Sequence, residues 1–330
     1  MIRLHAFSET AEYDSFSHAS LVPPPAAEIP RDGADLYLAV ERDRCLAARC
    51  SLWWSTVPPL EGARAGYIGH YAAADDRAAE TLLESACREL AKHRCAVAIG
   101  PVDGSTWRKY RFVVERGGEP PFFLEPDNPD EWPAQFLRCG FAILARYTST
   151  VTEALDKLDD RVQRALDRLA ARGVRVRAFD RGRREADLGS IYDVSVDSFS
   201  RNFLYTSIGR DEFLSQYRPI LPYVEPELVI LAEHEDRPVG FLFAIPDLRQ
   251  PGPGPGRDTV IIKTVAVRPG RAQHGLGSVL VARAHTTARA LGYRRAVHAL
   301  MHERNMSRNI GARYARTIRR YALFARHLPP

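Results

Sequence analysis

The sequence predicts an α/β protein of two tandem domains, each an α+β mixed sheet flanked by helices. Three observations lead there. The chain has 330 residues, beyond the roughly 100–200 of one ordinary domain. Short β-rich runs alternate with longer amphipathic helical runs throughout. The order strand, strand, strand, helix, strand occurs in both halves, although the halves hardly share sequence.

In the first half the strand runs are Leu36–Val40, Ala47–Trp54 and Gly66–Tyr71, then a helical run Asp75–Lys92, then a strand Cys95–Ile99. A Pro- and Gly-rich stretch follows (GPVDGSTW, GGEPPFFLEPDNPDEWP). Trp107, Tyr110, Phe122, Phe123 and Trp132 make it too apolar for a disordered linker, so an ordered excursion is expected. It ends in a short helix and the strand Phe141–Ser149, closing a domain over 1–150. Residues 151–173 read as a connecting helix: Leu155, Leu158, Val162, Leu166 and Leu169 recur at three and four, and Gly173 stops it.

The second domain, 174–330, repeats the order. A strand Val174–Phe179 leads to helices near Asp187–Phe199 and Asp211–Leu221, and strands Glu227–His234, Pro238–Ile245 and Thr259–Val267 follow. A helix Leu276–Leu291, a strand Ala296–Met301, a short helix and a strand Ile318–Phe324 complete it. The insertion PDLRQPGPGPGRD cannot propagate a sheet and is expected to be a hairpin tip, with a substrate lid as the alternative.

Composition narrows the function. No segment offers the about 18 uninterrupted apolar residues of a membrane helix, and the N-terminal MIRLHAFSETAEYD lacks the apolar core of a signal peptide, so a cytoplasmic location is expected. The five cysteines are odd in number, confined to the first half and without a C-x-x-C pair, which argues against disulfides or structural zinc. The net charge of +5 comes from arginines scattered among acids, not from a basic block, which argues against nucleic acid and suits a small anionic ligand.

The segment TVAVRPGRAQHGLGSVLVARAHTTARALGY is the most informative. A buried strand runs through a loop with Gly270, Gly275 and Gly277 into a helix with one apolar stripe. Glycines allow close backbone approach, and the free N–H groups of the helix start make an anion site into which a diphosphate fits. The spacing is neither G-x-x-x-x-G-K-[ST] nor G-x-G-x-x-G. V-A-V-x-P, a basic loop and G-x-G at a helix start resemble motif A of the GNAT (N-acetyltransferase) superfamily. The resemblance implies two tandem GNAT-like domains and acetyl-coenzyme A or another acyl-coenzyme A as cosubstrate, with no metal. It implies that the main chain of Val265, Ala266 and Val267 pairs with the pantetheine arm. Arg271, Gln273, His274, Gly275, Leu276, Gly277 and Ser278 would cradle the diphosphate. Where the family has Gln or Arg this chain has Ala272, so Arg271, Gln273 or the backbone alone would serve. Further on, HALMHERNMSRNIGARYARTIRRYALF resembles the family's next strand and short helix, with Asn305 as the asparagine that bonds the arm.

For catalysis the family's strand glutamate has no counterpart in TVIIKTVAV. Strand alternation puts His298, Leu300 and His302 on one face beside Glu303, so His302 or Glu303 is the candidate base, with local backbone bonding as the plain alternative. The family's acidic tyrosine position holds Ala312; Tyr314, two residues on, is the best-placed phenol. Phe199, Asn202 and Tyr205 fall in the segment that lies over the acceptor site in the GNAT fold. The first half resembles the degenerate N-terminal repeat of uncharacterised bacterial tandem GNAT-like proteins: no glycine occurs from Ala72 to Lys92, and Asp75 and Asp76 at the helix start would repel a diphosphate. The expected activity is acyl-coenzyme A-dependent N-acyl transfer to a small-molecule amine. A catalytically silent acyl-coenzyme A-binding or scaffold protein is the alternative.

Overall fold

The computed structural model describes residues 2–9, 12, 20–22, 33–156, 160–251, 257–270, 273–303 and 315–329. In the first half, β1 (Ile2–Phe7), β2 (Leu36–Arg42), β3 (Cys45–Trp53) and β4 (Ala65–Ala73) precede α1 (Asp76–Lys92) and β5 (Val97–Gly100). The excursion contains β6 (Phe112–Glu115) and α2 (Glu131–Arg138), then β7 (Ala142–Thr152) and α3 (Asp160–Ala171). The second half runs β8 (Val174–Ala178), α4 (Arg184–Phe199), α5 (Arg210–Tyr217), β9 (Val229–His234), β10 (Arg237–Pro246) and β11 (Thr259–Val267). It ends with α6 (Leu276–Ala290), β12 (Arg295–His302) and β13 (Arg316–His327).

The strands form one mixed sheet in the order β1-β2-β3-β4-β5-β13-β7-β12-β11-β10-β9-β8, with β6 on β13. In each half three antiparallel pairings lead to one parallel pair, β4 with β5 and β11 with β12. A parallel pair needs a crossover, which α1 and α6 supply. The halves then exchange strands: β7, from the first half, pairs with β12, and β13, the last strand, pairs with β5. β7 and β13 also pair with each other, so the sheet does not divide at the covalent junction.

Apolar positions explain the layers. Ala79, Leu82, Leu83 and Leu90 bury one face of α1 against the first half of the sheet. Leu276, Leu280, Ala284 and Ala288 do the same for α6, joined by Ala165 and Leu169 of α3. Leu188, Ile191 and Val194 of α4 and Phe213 of α5 cover the opposite face of the second half.

Some expectations shift. The connecting helix begins at Asp160 rather than near Thr152, because Val151 and Thr152 extend β7 along β12 and β13; Leu155 is still buried, and Leu158 lies outside the described residues. β1 and β6 were not anticipated. The insertion after β10 is a hairpin whose base is pinned by Asp247 and Gln250 bonding to Asp258 and Thr259; residues 252–256 of its tip lie outside the described residues. All five cysteines are free thiols.

A buried carboxylate ties the excursion to the last strand. Arg319 Nε donates to Glu125 at 2.7 Å and the Tyr321 hydroxyl donates to the same oxygen at 2.6 Å. Both side chains of the ion pair are nearly inaccessible, 2% and 3% exposed. Removing one partner of such a pair leaves a charge without compensation, so Arg319→Met is expected to cost about 3–5 kcal/mol in urea unfolding. Arg319→Met combined with Glu125→Gln is expected to recover part of that loss, since the two groups are in contact.

Candidate active site

β11 and β12 pair only from Thr259 with Arg295 to Ile262 with His298. Beyond that point both strands are bulged. Phe243 and Ala244 of β10 face Thr264 and Ile262, so Lys263 is an inserted residue in β11. His298 and Met301 of β12 face Thr150 and Thr148 of β7, and Leu300, inside this step, has φ +59°. Bulges bend strands and increase twist, and here the parallel strands part.

The parted length of β11 offers free backbone. Arg268 N–H donates to Val239 O of β10 at 2.9 Å. By strand alternation the N–H groups of Val265 and Val267 point the other way, into the opening. Side chains follow the same logic. Val260, Ile262, Val265 and Val267 pack toward α6, whereas Ile261 and Ala266 pack toward α4 and α5. The bulge puts Lys263 and Thr264 together on the second face.

At the start of α6, Gly275 takes φ +89°, a conformation an L side chain adopts only with strain. No side chain caps the helix there among the described residues. The first-turn N–H groups of Leu276, Gly277 and Ser278 therefore lie next to a loop with no carboxylate on it, the arrangement that holds an anion. The Leu276 side chain is core, so only its backbone can contribute. His274 is exposed, and the Gln273 amide folds back onto Gly270. Arg271 lies outside the described residues. One residue escaped the sequence: Arg168 of α3 donates to His274 O at 2.9 Å, which sets a guanidinium beside the loop. Arg168 lies on the polar side of an amphipathic helix, where nothing in the sequence distinguishes it from its neighbours.

Around the opening, residues of both halves meet. The His302 ring lies edge-on to Tyr147 at 4.9 Å and 6.0 Å from Phe203. Trp107 of the excursion sits 5.9 Å from Phe199 and 6.1 Å from Tyr205, and its indole N–H donates to Thr206 O at 2.8 Å. Asn202 is exposed on the intervening turn, where its N–H donates to Phe199 O at 2.8 Å and its carbonyl accepts from Tyr205 N–H at 3.1 Å. Glu303 is half-buried, and its N–H donates to Arg146 O at 3.0 Å. Asn305 and Tyr314 lie outside the described residues. His298 corrects the alternation argument. The bulge at Leu300 breaks the register, and His298 turns into the core, with its Nε2 3.0 Å from Nε2 of His285.

The first half has the same opening, but filled. β4 and β5 pair only to Tyr67 with Ile99, and β4 is bulged at His70, φ +48°. Val102 N–H then donates to Ile68 O at 2.9 Å, and the Asp103 carboxylate accepts from His70 N–H at 2.6 Å. Gly69 packs so closely on Val102 O that an added Cβ would lie 2.2 Å from it. The α1 start is capped by Asp75, which accepts from Ala78 N–H at 3.0 Å and pairs with Arg42.

Residues 188–312, within the C-terminal half of the chain, match the model of the acetyltransferase (GNAT) family. The whole chain has the tandem GNAT fold. A tandem GNAT protein from the clavulanic acid biosynthesis pathway superposes with TM-score 0.51 at 11% identity, covering 100% of this chain and 99% of that one. A probable N-acyltransferase from Enterococcus faecalis V583 gives TM-score 0.56 at 10% identity, covering 99% and 73%. A fungal multi-domain GH3 β-N-acetylglucosaminidase with a GCN5-related glucosamine N-acetyltransferase region gives 0.53 at 12%; the match covers 98% of this chain but 38% of that protein. No curated protein matches the chain by sequence. Among the described residues no group of metal-ligating side chains occurs and no helix is long and apolar enough to cross a membrane.

The His285–His298 pair behind the opening makes a pH prediction. Burial pushes His285 down to about 4 and His298 down to about 3. Both are therefore neutral in the fold, whereas in the unfolded chain each takes a proton below roughly pH 6.5. The stabilisation is full above that value and falls with decreasing pH, the unfolded state then binding more protons. Denaturation at stepped pH is expected to show a slope from this pair approaching about 2.7 kcal/mol per pH unit between roughly pH 5.5 and 4.5. His285→Leu with His298→Leu is expected to flatten it.

Proposed function

We propose that this chain transfers an acyl group from acyl-coenzyme A to a small-molecule amine at a single cofactor site, the opening between β11 and β12. The contrast between the two helix starts carries the proposal: α6 offers uncapped N–H groups, while α1 is closed by Asp75. The opening in the first half, filled by Val102 and Asp103, supports one site rather than two.

In this reading Gln273 to Ser278 hold the diphosphate, and Arg168 supplies the cation that the family carries where this chain has Ala272. The edge of β11 from Val265 to Val267 takes the pantetheine arm as an added strand. The Val267 N–H, turned into the opening, donates to the thioester carbonyl oxygen as negative charge develops on it. The acceptor enters from the side lined by Trp107, Phe199, Tyr205 and His302, so the first half supplies part of its wall. The amine nitrogen bonds to the carbonyl carbon, the C–S bond breaks with its electron pair on sulfur, and the surplus proton leaves the nitrogen. Asn305 stands at the family's arm-binding asparagine, whereas Arg271 flanks the family's Gln or Arg position, here Ala272, and Tyr314 lies two residues beyond the family's tyrosine position, here Ala312; all three lie outside the described residues. A protein that binds acyl-coenzyme A without turnover is the competing outcome.

Coenzyme A at millimolar concentration is expected to raise the melting temperature, because a ligand of the native state stabilises it by mass action. Gly277→Asp is expected to abolish that shift, placing a carboxylate among the N–H groups in a helix turn that tolerates it. Asp75→Ala removes a cap and is expected to lower the baseline by about 1 kcal/mol while leaving the shift intact. Arg168→Met is expected to weaken coenzyme A binding about tenfold in calorimetry, or about 1.4 kcal/mol. Thiol release across an amine panel separates an enzyme from a silent binder.

A further inference from the structure

The strand that borders the opening has no carboxylate, yet amine acylation needs a group to take the proton from nitrogen. The residue inserted at the parting of the strands is Lys263. The bulge turns it to the α4 and α5 face, from which the acceptor would come, and Lys263 Nζ donates to Leu124 O of the excursion at 3.0 Å. One of its hydrogens is thereby fixed and the nitrogen is positioned.

We infer that Lys263, as a neutral amine, is the general base that takes the proton from the attacking acceptor nitrogen. This rests on the acyl-transfer reading of the site. The step balances: the acceptor lone pair forms the N–C bond, sulfur leaves with the C–S pair, and the proton passes from the acceptor nitrogen to Nζ. The resulting ammonium returns it to the thiolate or to water.

The basic residues of the chain supply an independent argument. Only four of its 46 lysines and arginines are lysine: Lys92, Lys109, Lys157 and Lys263. Arginine keeps its proton at every working pH, whereas a lysine can lose one when desolvated. In a chain that uses arginine nearly everywhere, a lysine at the mouth of the opening provides the one property arginine lacks.

The surroundings favour the neutral form. Burial, with the cationic Arg111 adding to it, pushes Lys263 down to about 7, while Glu125 pulls in the other direction. Arg319 and Tyr321 already hold the Glu125 carboxylate, which reduces its claim on Lys263. Arg111 is itself fixed, donating to Leu300 O at 3.1 Å with its guanidinium over the Tyr110 and Tyr147 rings. At neutral pH a substantial fraction of Lys263 therefore carries a lone pair, whereas a free lysine near 10.4 carries almost none.

The test uses the full-length protein. Trace acetic anhydride labelling at stepped pH, read by peptide mass spectrometry, gives the titration midpoint of each lysine; Lys263 is expected near 7, about three units below a free lysine. With an amine accepted in the thiol-release panel, Lys263→Met and Lys263→Arg are both expected to lower kcat/KM about a hundredfold at neutral pH. Both should lose the acid limb of the pH profile, leave coenzyme A binding unchanged, and approach wild type at alkaline pH where the acceptor deprotonates unaided. A Lys263 midpoint above 9, or Lys263→Arg retaining the neutral-pH rate, would overturn the inference. Failure of coenzyme A to stabilise the wild-type protein would instead overturn the acyl-transfer reading, and the thermal-shift assay reads that separately.

Discussion

The parting of β11 from β12 beyond Ile262 and His298 is the constraint on which the site depends. A parallel pair inside a sheet normally satisfies every backbone group on both strands. Ending that pairing early leaves the N–H and C=O groups of Val265 and Val267 that point away from β10 without a strand partner, and buried backbone groups require one. The inserted residue on each strand supplies the bend that ends it. The same bend redirects side chains: Lys263 comes to the α4 and α5 face, and His298 turns into the core against His285. Opening, edge and side-chain placement thus have one geometric origin.

The first half shows what the same architecture does when the opening is not kept. β4 also parts from β5 and also carries a bulge, but the chain after β5 re-enters and satisfies the exposed groups itself, through Val102 and Asp103. Burial raises Asp103 to about 6, and its hydrogen bond from His70 N–H offsets part of that cost. The excursion that follows reaches the second half, where Trp107, Leu124 and Arg111 contact Thr206, Lys263 and Leu300. The first half, with its own opening filled, thus packs against residues that border the opening of the second.

Much of this was legible in the sequence, and the exceptions have physical causes. Periodicity found α1 and α6 almost to the residue, because each buries a regular stripe under a full crossover. Gly275 marked the loop because a positive φ leaves few alternatives to glycine. Bulges leave no such mark: TVIIKTVAV reads as an unbroken buried strand, and the inserted Lys263 is visible only in the pairing with β10. The strand exchange was hidden for a similar reason, since hydrophobic alternation shows that β7 and β13 are strands but not which neighbours they choose. Arg168 was hidden because its contact crosses from α3 to a loop more than a hundred residues away.

The exchange also bears on how firmly the opening is held. Leu300 sits at φ +59°, which costs energy for a side chain of its size and persists only where the surroundings over-determine it. They do so here from both sides: its N–H donates to the Ser149 hydroxyl at 3.0 Å and its carbonyl accepts from Arg111 at 3.1 Å. Tyr321 donates to Glu125, so Ser149 must donate to Tyr321, 3.0 Å away, and a directed chain runs from Leu300 through Ser149 and Tyr321 to the buried carboxylate and Arg319. Its members come from β12, β7, β13 and the excursion, two elements from each half. The bulge that shapes the opening is therefore enforced by groups that meet only after the halves have exchanged strands. Separating the halves would remove the restraint on Leu300, because Ser149 and Arg111, which bond its N–H and its carbonyl, both come from the first half.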